Sequence, residues 1–311
     1  MKRLTIILCL LLATEGLHAQ KQLISKAVIL KTVFVTSIPA LKTALANDSN
    51  DVIILANGTY IVPNSAAQTA TALWIDDEYA ARTRPVLVKA ETRYGVTFDG
   101  DSVDYWQALA FVGGAHHQTW DGFNFTNGHP TACEVIDFNG YTSDATIALA
   151  AHHITIQYCK ISGVWGSSKA PENPPNDHAI YVSLSTGGAN NLVFDNIVVE
   201  DSVFDGLGTA FHFYHSGGGY VNAHDVEITN CTIYGTQTPI ILWDGTLQNI
   251  HISNTTIIDP MLSAIRYEGS GTATGIIFNT VVSSGSSGGV GFSSSEGANP
   301  PGVTFINCDL K

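Results

Sequence analysis

The sequence predicts an all-β protein whose chain coils into a solenoid, a parallel β-helix in which every coil adds strands to the same sheets. Charged residues make up only 13% of the 311 residues and Gly reaches 29, a composition that suits β-sheets and tight turns. Short apolar segments recur along the chain, and each consists of a strand, one turn residue and a second strand. No hairpin signal reverses these strands, so we expect them to stack in parallel, coil upon coil.

The first 19 residues have the pattern of a secretory signal peptide. Two basic residues precede the apolar run 4–13, and small residues lead to an expected cleavage site near Ala19. The run is shorter than the roughly 20 apolar residues that a membrane-spanning helix needs. We therefore expect a secreted or periplasmic protein with no membrane span, a signal peptide at 1–19, a lead-in segment at 20–37 and a folded domain at 38–311.

A short helix is expected to precede the first strand of the domain. Ser37 and Pro39 predict its start, because Ser caps helices and Pro suits their first turn, and it is expected to end near Ala46. The segment 51–60 follows as Asp, an apolar run and then Gly-Thr-Tyr. Such a helix would cap the open end of the solenoid.

This N-terminal pattern resembles the start of the pectate-lyase-like right-handed parallel β-helix superfamily, and the resemblance extends over 38–311. It implies a single-stranded right-handed parallel β-helix with a short N-terminal capping helix. Extracellular polysaccharide lyases similar to alginate lyases and chondroitinase B belong to this group, so it also implies a polysaccharide lyase. The segment 176–179 matches two of the four residues in the Asp-Pro-His-Asp motif of alginate C5-epimerases, which implies a site role for Asp177 and His178.

One position in each repeat is a turn residue, and Asn occupies it in five of eight copies. Asn and Gly tolerate a positive φ better than other residues. The aligned turn positions are Gly100, Gly122, Tyr158, Asn196, Asn230, Asn254, Asn279 and Asn307. Short intervals of 22 to 28 residues predict a solenoid, and three longer intervals between Gly122 and Asn230 predict insertions. Thr255, which directly follows a turn, is expected to face solvent.

A further strand follows each turn, and its alternation defines an inner and an outer face. Apolar side chains fill the inner positions and leave two rows of outward side chains. The first outward row is Ala110, Asp137, Tyr181, His212, Ile241 and Arg266, and the second is Val112, Asn139, Ser183, Tyr214, Trp243 and Glu268. A slip of one residue would bury the polar rows, so this phase is strongly preferred.

The longer intervals enlarge the loops beside these strands, such as 163–177 and 216–224. Insertions on one side of a solenoid usually form the walls of a binding groove. The residues expected to bind substrate in this groove are Asp137, Asn139, Ser183, Trp243, Arg266, Glu268 and Lys169.

The groove carries side chains that can catalyse β-elimination on a uronic-acid polymer. His212 is the expected base, because its ordinary pKa is nearest neutrality. Tyr181 and Tyr214 are expected to donate or accept the other proton, and His178 is a secondary catalytic candidate at a strand entry. Arg266 can bind a substrate carboxylate through two parallel hydrogen bonds.

A calcium ion is the cofactor that the acidic residues beside the groove could bind. Ca²⁺ prefers oxygen ligands, and the candidates are Glu172, Asp177 and Asp205. The net charge of −13 argues against a nucleic-acid partner, because phosphate binding needs a basic face. It leaves an anionic polysaccharide as a partner, provided that local cations make the contacts.

Other classes of function stay open at this point. A glycoside hydrolase needs two carboxyl groups about 5 to 9.5 Å apart, and the available residues are Asp137, Asp205, Asp244 and Glu268. A C5-epimerase on the same fold is a further alternative. A non-catalytic glycan-binding solenoid would use Tyr181, Tyr214 and Trp243 as stacking platforms.

Two histidine pairs and the cysteines complete the sequence features. The segments 116–117 and 152–153 come just before strand starts and are interpreted as polar turn residues. Their spacing is not expected to form a metal site on one strand face, because adjacent residues on a strand point to opposite faces. Cys159 and Cys231 share the position after the turn, with one coil between them. Their expected separation of about 9 to 10 Å is beyond disulfide reach, so we expect free thiols.

Overall fold

The computed structural model describes residues 30–61, 73–75, 82–100, 107–112, 114–126, 133–139, 149–163, 177–184, 193–215, 221–243, 245–268, 272–283, 290–294 and 302–310. The predicted signal peptide at 1–19 and the first part of the lead-in segment lie outside these residues. The chain divides into two compact units, Met1–Lys31 and Thr32–Lys311, and every element described below belongs to the second.

The strands of the described residues alternate with short turns along the second unit. In chain order they are β1 Thr32–Val35, β2 Val52–Leu55, β3 Gly58–Ile61, β4 Leu73–Ile75, β5 Val86–Ala90, β6 Val96–Asp99, β7 Leu109–Val112, β8 His116–Asp121, β9 Phe123–Thr126, β10 Cys133–Asn139, β11 Leu149–Gln157, β12 Lys160–Ser162, β13 Asp177–Leu184, β14 Val193–Glu200, β15 Val203–Asp205, β16 Thr209–His215, β17 Val221–Thr229, β18 Thr232–Tyr234, β19 Ile240–Trp243, β20 Gly245–Ser253, β21 Thr256–Ile258, β22 Ser263–Glu268, β23 Thr272–Phe278, β24 Val281–Ser283, β25 Val290–Ser294, β26 Val303–Ile306 and β27 Asp309–Leu310.

Three sheets share these strands, and successive coils add a strand to each sheet in turn. The first sheet has the order β1-β2-β5-β8-β11-β14-β17-β20-β23-β26, the second β3-β6-β9-β12-β15-β18-β21-β24-β27 and the third β4-β7-β10-β13-β16-β19-β22-β25. Neighbouring strands pair in parallel, as β10, β13 and β16 do. Parallel connections of this kind are right-handed in nearly all proteins. The predicted fold, an all-β right-handed parallel β-helix, is confirmed.

Apolar side chains fill the interior as columns that follow the stack of coils. Phe111 and Phe138 stack with their ring centroids 5.0 Å apart, and Phe98 and Phe125 stack at 5.4 Å. All four are fully buried. Strands stack about 4.8 Å apart, so aromatic residues in register meet face to face and hold successive coils in place.

The helix α1 at Ile38–Leu45 begins where the sequence predicts it. The side chain of Ser37 accepts a hydrogen bond from the backbone N–H of Ala40 at 3.3 Å. Leu41 and Leu45 are buried, so one face of α1 covers the apolar interior. In the part of the chain that the structure describes, no helix has the length and apolar character needed to cross a membrane.

A buried arginine satisfies the backbone beyond the carboxyl end of α1. The guanidinium of Arg82 donates to the carbonyls of Leu45 at 2.9 Å, Asn47 at 3.0 Å and Asn50 at 2.6 Å. The last carbonyls of a helix have no partner within the helix. The side chain of Arg82 therefore supplies the hydrogen-bond donors for these backbone carbonyls.

The turn between the first and second sheets contains a residue with a positive φ in successive coils. These residues are Gly122, Tyr158, Asp201, Asn230, Asn254, Asn279 and Asn307. The prediction was wrong at two positions. The register puts Asp201 between Tyr158 and Asn230 in place of Asn196, and Gly100 follows β6, on the way out of the second sheet.

Asn196 lies inside β14, where a second row of positive φ crosses the first sheet. This row is His117, His153, Asn196, Asp225 and Asn249. The coils from β8 to β20 thus each have a left-handed residue in both rows, and Asn suits both places. Sequence alignment alone could not tell the two rows apart.

The residues after several of these turns point into the protein and form a buried polar ladder. The thiols of Cys159 and Cys231 each approach the carbonyl two residues earlier at 3.3 Å, and the hydroxyl of Thr255 donates to the carbonyl of Ser253 at 3.0 Å. Thr255 is fully buried, so the expectation that it faces solvent was wrong. Ser202 lies between Cys159 and Cys231, and both thiols are free.

Candidate active site

The third sheet brings the predicted outward rows together. Its register aligns Asp137 on β10, Tyr181 on β13 and His212 on β16, and continues to Ile241 and Arg266. The second row aligns Asn139, Ser183 and Tyr214 in the same way and pairs Trp243 with Glu268. The alternation read from the sequence therefore agrees with the structure along this face.

Five side chains on three adjacent strands pack into one group, which we call the aromatic cluster: His178, Tyr181, His212, Tyr214 and Trp243. The ring of His178 lies 4.9 Å from that of Tyr181 and 4.5 Å from that of His212, centroid to centroid. His212 lies 5.3 Å from both tyrosine rings and 5.9 Å from Trp243. His212 is thus the centre of the cluster.

The two histidines of the cluster are held in the neutral form by burial. His212 has only 5% of its surface exposed, and its Nδ1 lies 3.4 Å from Nε2 of His178. Burial, and then the neighbouring His178, keep the pKa of His212 well below its ordinary value. Burial lowers the pKa of His178 to about 3. Among the described residues, Nε2 of His212 is buried without a hydrogen-bond partner.

The phenol of Tyr181 is held in its protonated form. Burial raises its pKa first, and the nearby carboxyl of Glu134 raises it further. Tyr214 is half-buried, and its ring stacks on that of Tyr181 with centroids 5.7 Å apart. A neutral imidazole and a protonated phenol therefore lie side by side on adjacent strands.

A pair of carboxyl groups lies beside Tyr181, and one amide holds both. Nε2 of Gln107 donates to Glu134 Oε2 at 2.8 Å and to Asp137 Oδ2 at 2.9 Å. Asp137 is fully buried, and burial followed by repulsion from Glu134 raises its pKa well above the ordinary range. Within the described chain, Asp137 Oδ1 has no hydrogen-bond partner. Asp137 was expected on the exposed floor of a groove, and its complete burial corrects that expectation.

Glu134 and Gln107 were missed at the sequence level. Alternation along β10 assigns Glu134 to the same face as the core residues Ile136 and Phe138. A carboxylate is rarely buried on the core face without a partner. An acidic residue at an inward position of β10 was therefore the sequence signal for a buried partner. Gln107 precedes β7 and carries no pattern of its own.

The remaining candidates lie farther from His212 or outside the described side chains. Arg266 is half-buried on β22, and one strand separates it from β16, which puts it roughly 10 Å from His212. Glu268 and Asp177 have a described backbone on β22 and β13 only. Lys169 and Glu172 lie outside the described residues, as does most of the two loops predicted to form walls.

Of the three calcium candidates, only Asp205 has a described side chain. Asp205 lies on β15 of the second sheet, where the hydroxyl of Tyr234 donates to its carboxylate. Among the described side chains, no group of three or more His, Cys, Asp or Glu is placed to hold a metal ion.

Comparison with known proteins gives structural likenesses only. No protein-family model and no curated protein sequence matches the chain. A mannuronic-acid-specific polysaccharide lyase of family 6 from human gut microbiota is 14% identical with a TM-score of 0.41, over 85% of this chain and 66% of that one. A variant of pectate lyase from Xanthomonas campestris is 14% identical with a TM-score of 0.44, over 88% and 79%.

The A-module of a mannuronan C-5 epimerase from Azotobacter vinelandii is 13% identical with a TM-score of 0.31, over 88% of this chain and 90% of that one. The sequence predicts a resemblance to polysaccharide-active enzymes, and the matched structures are of such enzymes. This chain spans less than two thirds of the length of the family 6 lyase. At such identities and TM-scores, the chemistry of this chain has to be argued from its own residues.

Proposed function

We propose that the protein is an enzyme that cleaves an acidic polysaccharide by β-elimination at the aromatic cluster. One observation carries the proposal: His212 and Tyr181 lie side by side, and burial favours the unprotonated imidazole and the protonated phenol. A base that is unprotonated at neutral pH and an acid that keeps its proton are the pair that such a reaction requires.

His212 is proposed to remove the proton next to the sugar carboxylate. Its imidazole is neutral at pH 7, and its buried Nε2 is free to accept a proton among the described groups. His178 contacts the other nitrogen and orients the ring. Only 5% of the surface of His212 is exposed, so substrate binding has to involve movement of the side chains that cover it.

Tyr181 is proposed to donate a proton to the departing sugar oxygen, and Tyr214, at a similar distance from His212, is the alternative donor. The reaction also requires a group that neutralises the charge building up on the substrate carboxylate. The protonated carboxyl of Asp137 is proposed to donate to it, and because Asp137 is fully buried, this contact requires the same movement that gives access to His212. Arg266 binds the carboxylate of a neighbouring sugar, and Trp243 offers an aromatic face for stacking.

The test is to incubate the purified protein with a panel of uronic-acid polysaccharides and neutral polysaccharides. We expect an unsaturated product, followed by its ultraviolet absorbance, from an acidic polymer only. His212→Ala should lower kcat by about 10² to 10⁴ while substrate binding persists. His251→Ala, an exposed histidine on β20 of the first sheet, is the matched control and should keep full activity.

A fully active His212→Ala enzyme would reject the assignment of the base. A wild-type protein that binds an acidic glycan and never alters it would reject the enzyme and favour a glycan-binding solenoid. A C5-epimerase would change the uronic-acid composition of the polymer, measured by nuclear magnetic resonance, without shortening the chain.

A glycoside hydrolase is the second candidate, and the carboxyl pair favours it. Glu134 and Asp137 accept from one nitrogen at 2.8 and 2.9 Å, so their oxygens are closer than the roughly 6.5 to 9.5 Å of inverting enzymes. So short a separation excludes the inverting geometry, and a hydrolase at this site would use a retaining mechanism. New reducing ends without ultraviolet absorbance, lost in Glu134→Gln and kept in His212→Ala, would establish this reaction in place of β-elimination.

A further inference from the structure

Four histidines form a compact group on the first sheet, apart from the aromatic cluster of the third sheet. His116 and His117 belong to β8, and His152 and His153 belong to the adjacent strand β11. Their rings form two stacked columns: His116 over His152 at 5.0 Å and His117 over His153 at 4.8 Å, centroid to centroid. The interpretation of these pairs as turn residues was wrong.

The backbone explains why adjacent histidines can meet. His117 and His153 each have a φ of 54°, which interrupts the alternation of side chains along the strand. The next coils put Asn196, Asp225 and Asn249 at the same place in the row. The positive φ explains why this row needs a residue that tolerates a left-handed conformation. It does not explain why four histidines occur together.

We propose that His152 and His153 form a chelating site for Cu²⁺, which they bind through their two Nδ1 atoms, with water in the remaining positions. The two nitrogens lie 2.9 Å apart. Ligand nitrogens at about 2.0 to 2.1 Å from a metal are about 2.8 to 3.0 Å apart at a right angle and about 3.3 to 3.4 Å apart in a tetrahedral site. The observed distance fits adjacent corners of a tetragonal site.

Copper is the ion that this geometry selects. Cu²⁺ favours tetragonal sites with nitrogen ligands and is bound most tightly in the order of divalent first-row metals, whereas Zn²⁺ favours tetrahedral ones. In the described chain no three such side chains are placed around one ion, so the site has two protein ligands. The proton that bridges the two Nδ1 atoms moves to the Nε2 atom of the same ring when the metal binds.

Solvent access and the contacts of the neighbouring His116 support this choice of ligands. His153 is exposed and His152 is partly exposed, so an ion has access from solvent. His116 is less suited as a ligand through Nδ1, because that atom lies 2.7 Å from the carbonyl oxygen of Gly114.

The experiment uses the full chain without an affinity tag, freed of metal and titrated with a copper(II) salt in a buffer that does not bind metals. Calorimetry gives the affinity and electron paramagnetic resonance counts the coordinated nitrogens. We expect one site with two imidazole nitrogens, and an affinity at least about tenfold lower in His152→Gln and in His153→Asn. His153→Asn keeps a residue that suits the positive φ, because Asn196 has the aligned position in the next coil.

His251→Ala is the matched control and should leave the copper affinity unchanged. Circular dichroism and thermal melting establish that each variant folds. Wild-type protein without a copper site, variants with unchanged affinity, or Zn²⁺ bound as tightly as Cu²⁺ would each overturn the proposal. The result is independent of any activity on polysaccharides, since no residue of the aromatic cluster takes part.

Discussion

Replacing Asn254 by Val tests the row of turns between the first and second sheets. Asn254 is exposed, has a φ of 49° and accepts a hydrogen bond from Nδ2 of Asn279 at 3.3 Å. It makes no contribution to the apolar interior. The effect of a substitution therefore comes from the backbone conformation and from this one side-chain hydrogen bond.

The expected loss can be estimated from these two contributions. A side chain other than Asn, Asp or Gly in the left-handed conformation costs about 1 to 2 kcal/mol, and branching at Cβ puts Val at the upper end. The exposed amide hydrogen bond contributes about 0.5 kcal/mol. Asn254→Val should thus lower the free energy of unfolding by about 2 kcal/mol. Asn254→Gly, which keeps the conformation and loses only the hydrogen bond, should stay within about 0.5 kcal/mol of wild type.

Urea unfolding followed by circular dichroism measures both variants at one pH and temperature. Thr255→Val serves as a comparison at the adjacent position, where the loss of a buried hydroxyl donating to Ser253 should cost about 1 to 3 kcal/mol without a change in backbone strain. If Asn254→Val and Asn254→Gly unfold at the same urea concentration, the left-handed turn at this position is refuted.

Three further predictions concern the thiols, the helix end and the buried carboxyl. Cys159 and Cys231 should resist alkylation in the native protein, because burial raises the pKa of each thiol to about 12, whereas the partly exposed Cys308 should react. Equal alkylation rates for all three thiols would contradict the inward position of Cys159 and Cys231 in the stack of coils. Arg82→Met should lower the free energy of unfolding by about 3 kcal/mol or more, since three backbone carbonyls lose a charged donor. A loss below about 1 kcal/mol in urea unfolding would refute the role of Arg82 in stabilising the end of α1. The folded-state pKa of Asp137 is raised, so its contribution to stability is full below the ordinary pKa of about 3.9 and is lost as the pH rises through the folded value. Asp137→Asn should remove this pH dependence of stability. If the free energies of unfolding of wild type and variant change in parallel between pH 5 and pH 9, the contribution of Asp137 is excluded.

The local pattern of the chain determined the fold and much of the candidate site. The alternation of residues in the strands is a property of the extended backbone, so it correctly placed Tyr181, His212 and Arg266 in one outward row. Ser37 capped a helix where expected, because capping depends on residues three apart in sequence. Recurring turn residues were enough to predict a stack of parallel coils.

Assigning particular residues to the turns needed the tertiary structure. Asn196 and Asp201 lie in the same coil and both have a positive φ, and only pairing with the strands on either side shows that Asp201 occupies the turn. The same pairing put Thr255 inside the protein. Strand register depends on contacts between residues far apart in sequence, so a repeat pattern with two equivalent asparagine positions leaves it undecided.

The sequence by itself determined the strands, their faces and the chemical groups along each row. The tertiary structure decided which of those groups are buried, which share a partner and which protonation state they adopt. Gln107 came to bridge Glu134 and Asp137 only when β7 and β10 were brought side by side, and burial lowers the pKa of His212 well below its ordinary value. Burial and electrostatic interactions are sums over neighbours that folding brings together, whereas periodicity and capping are fixed within a few residues of chain.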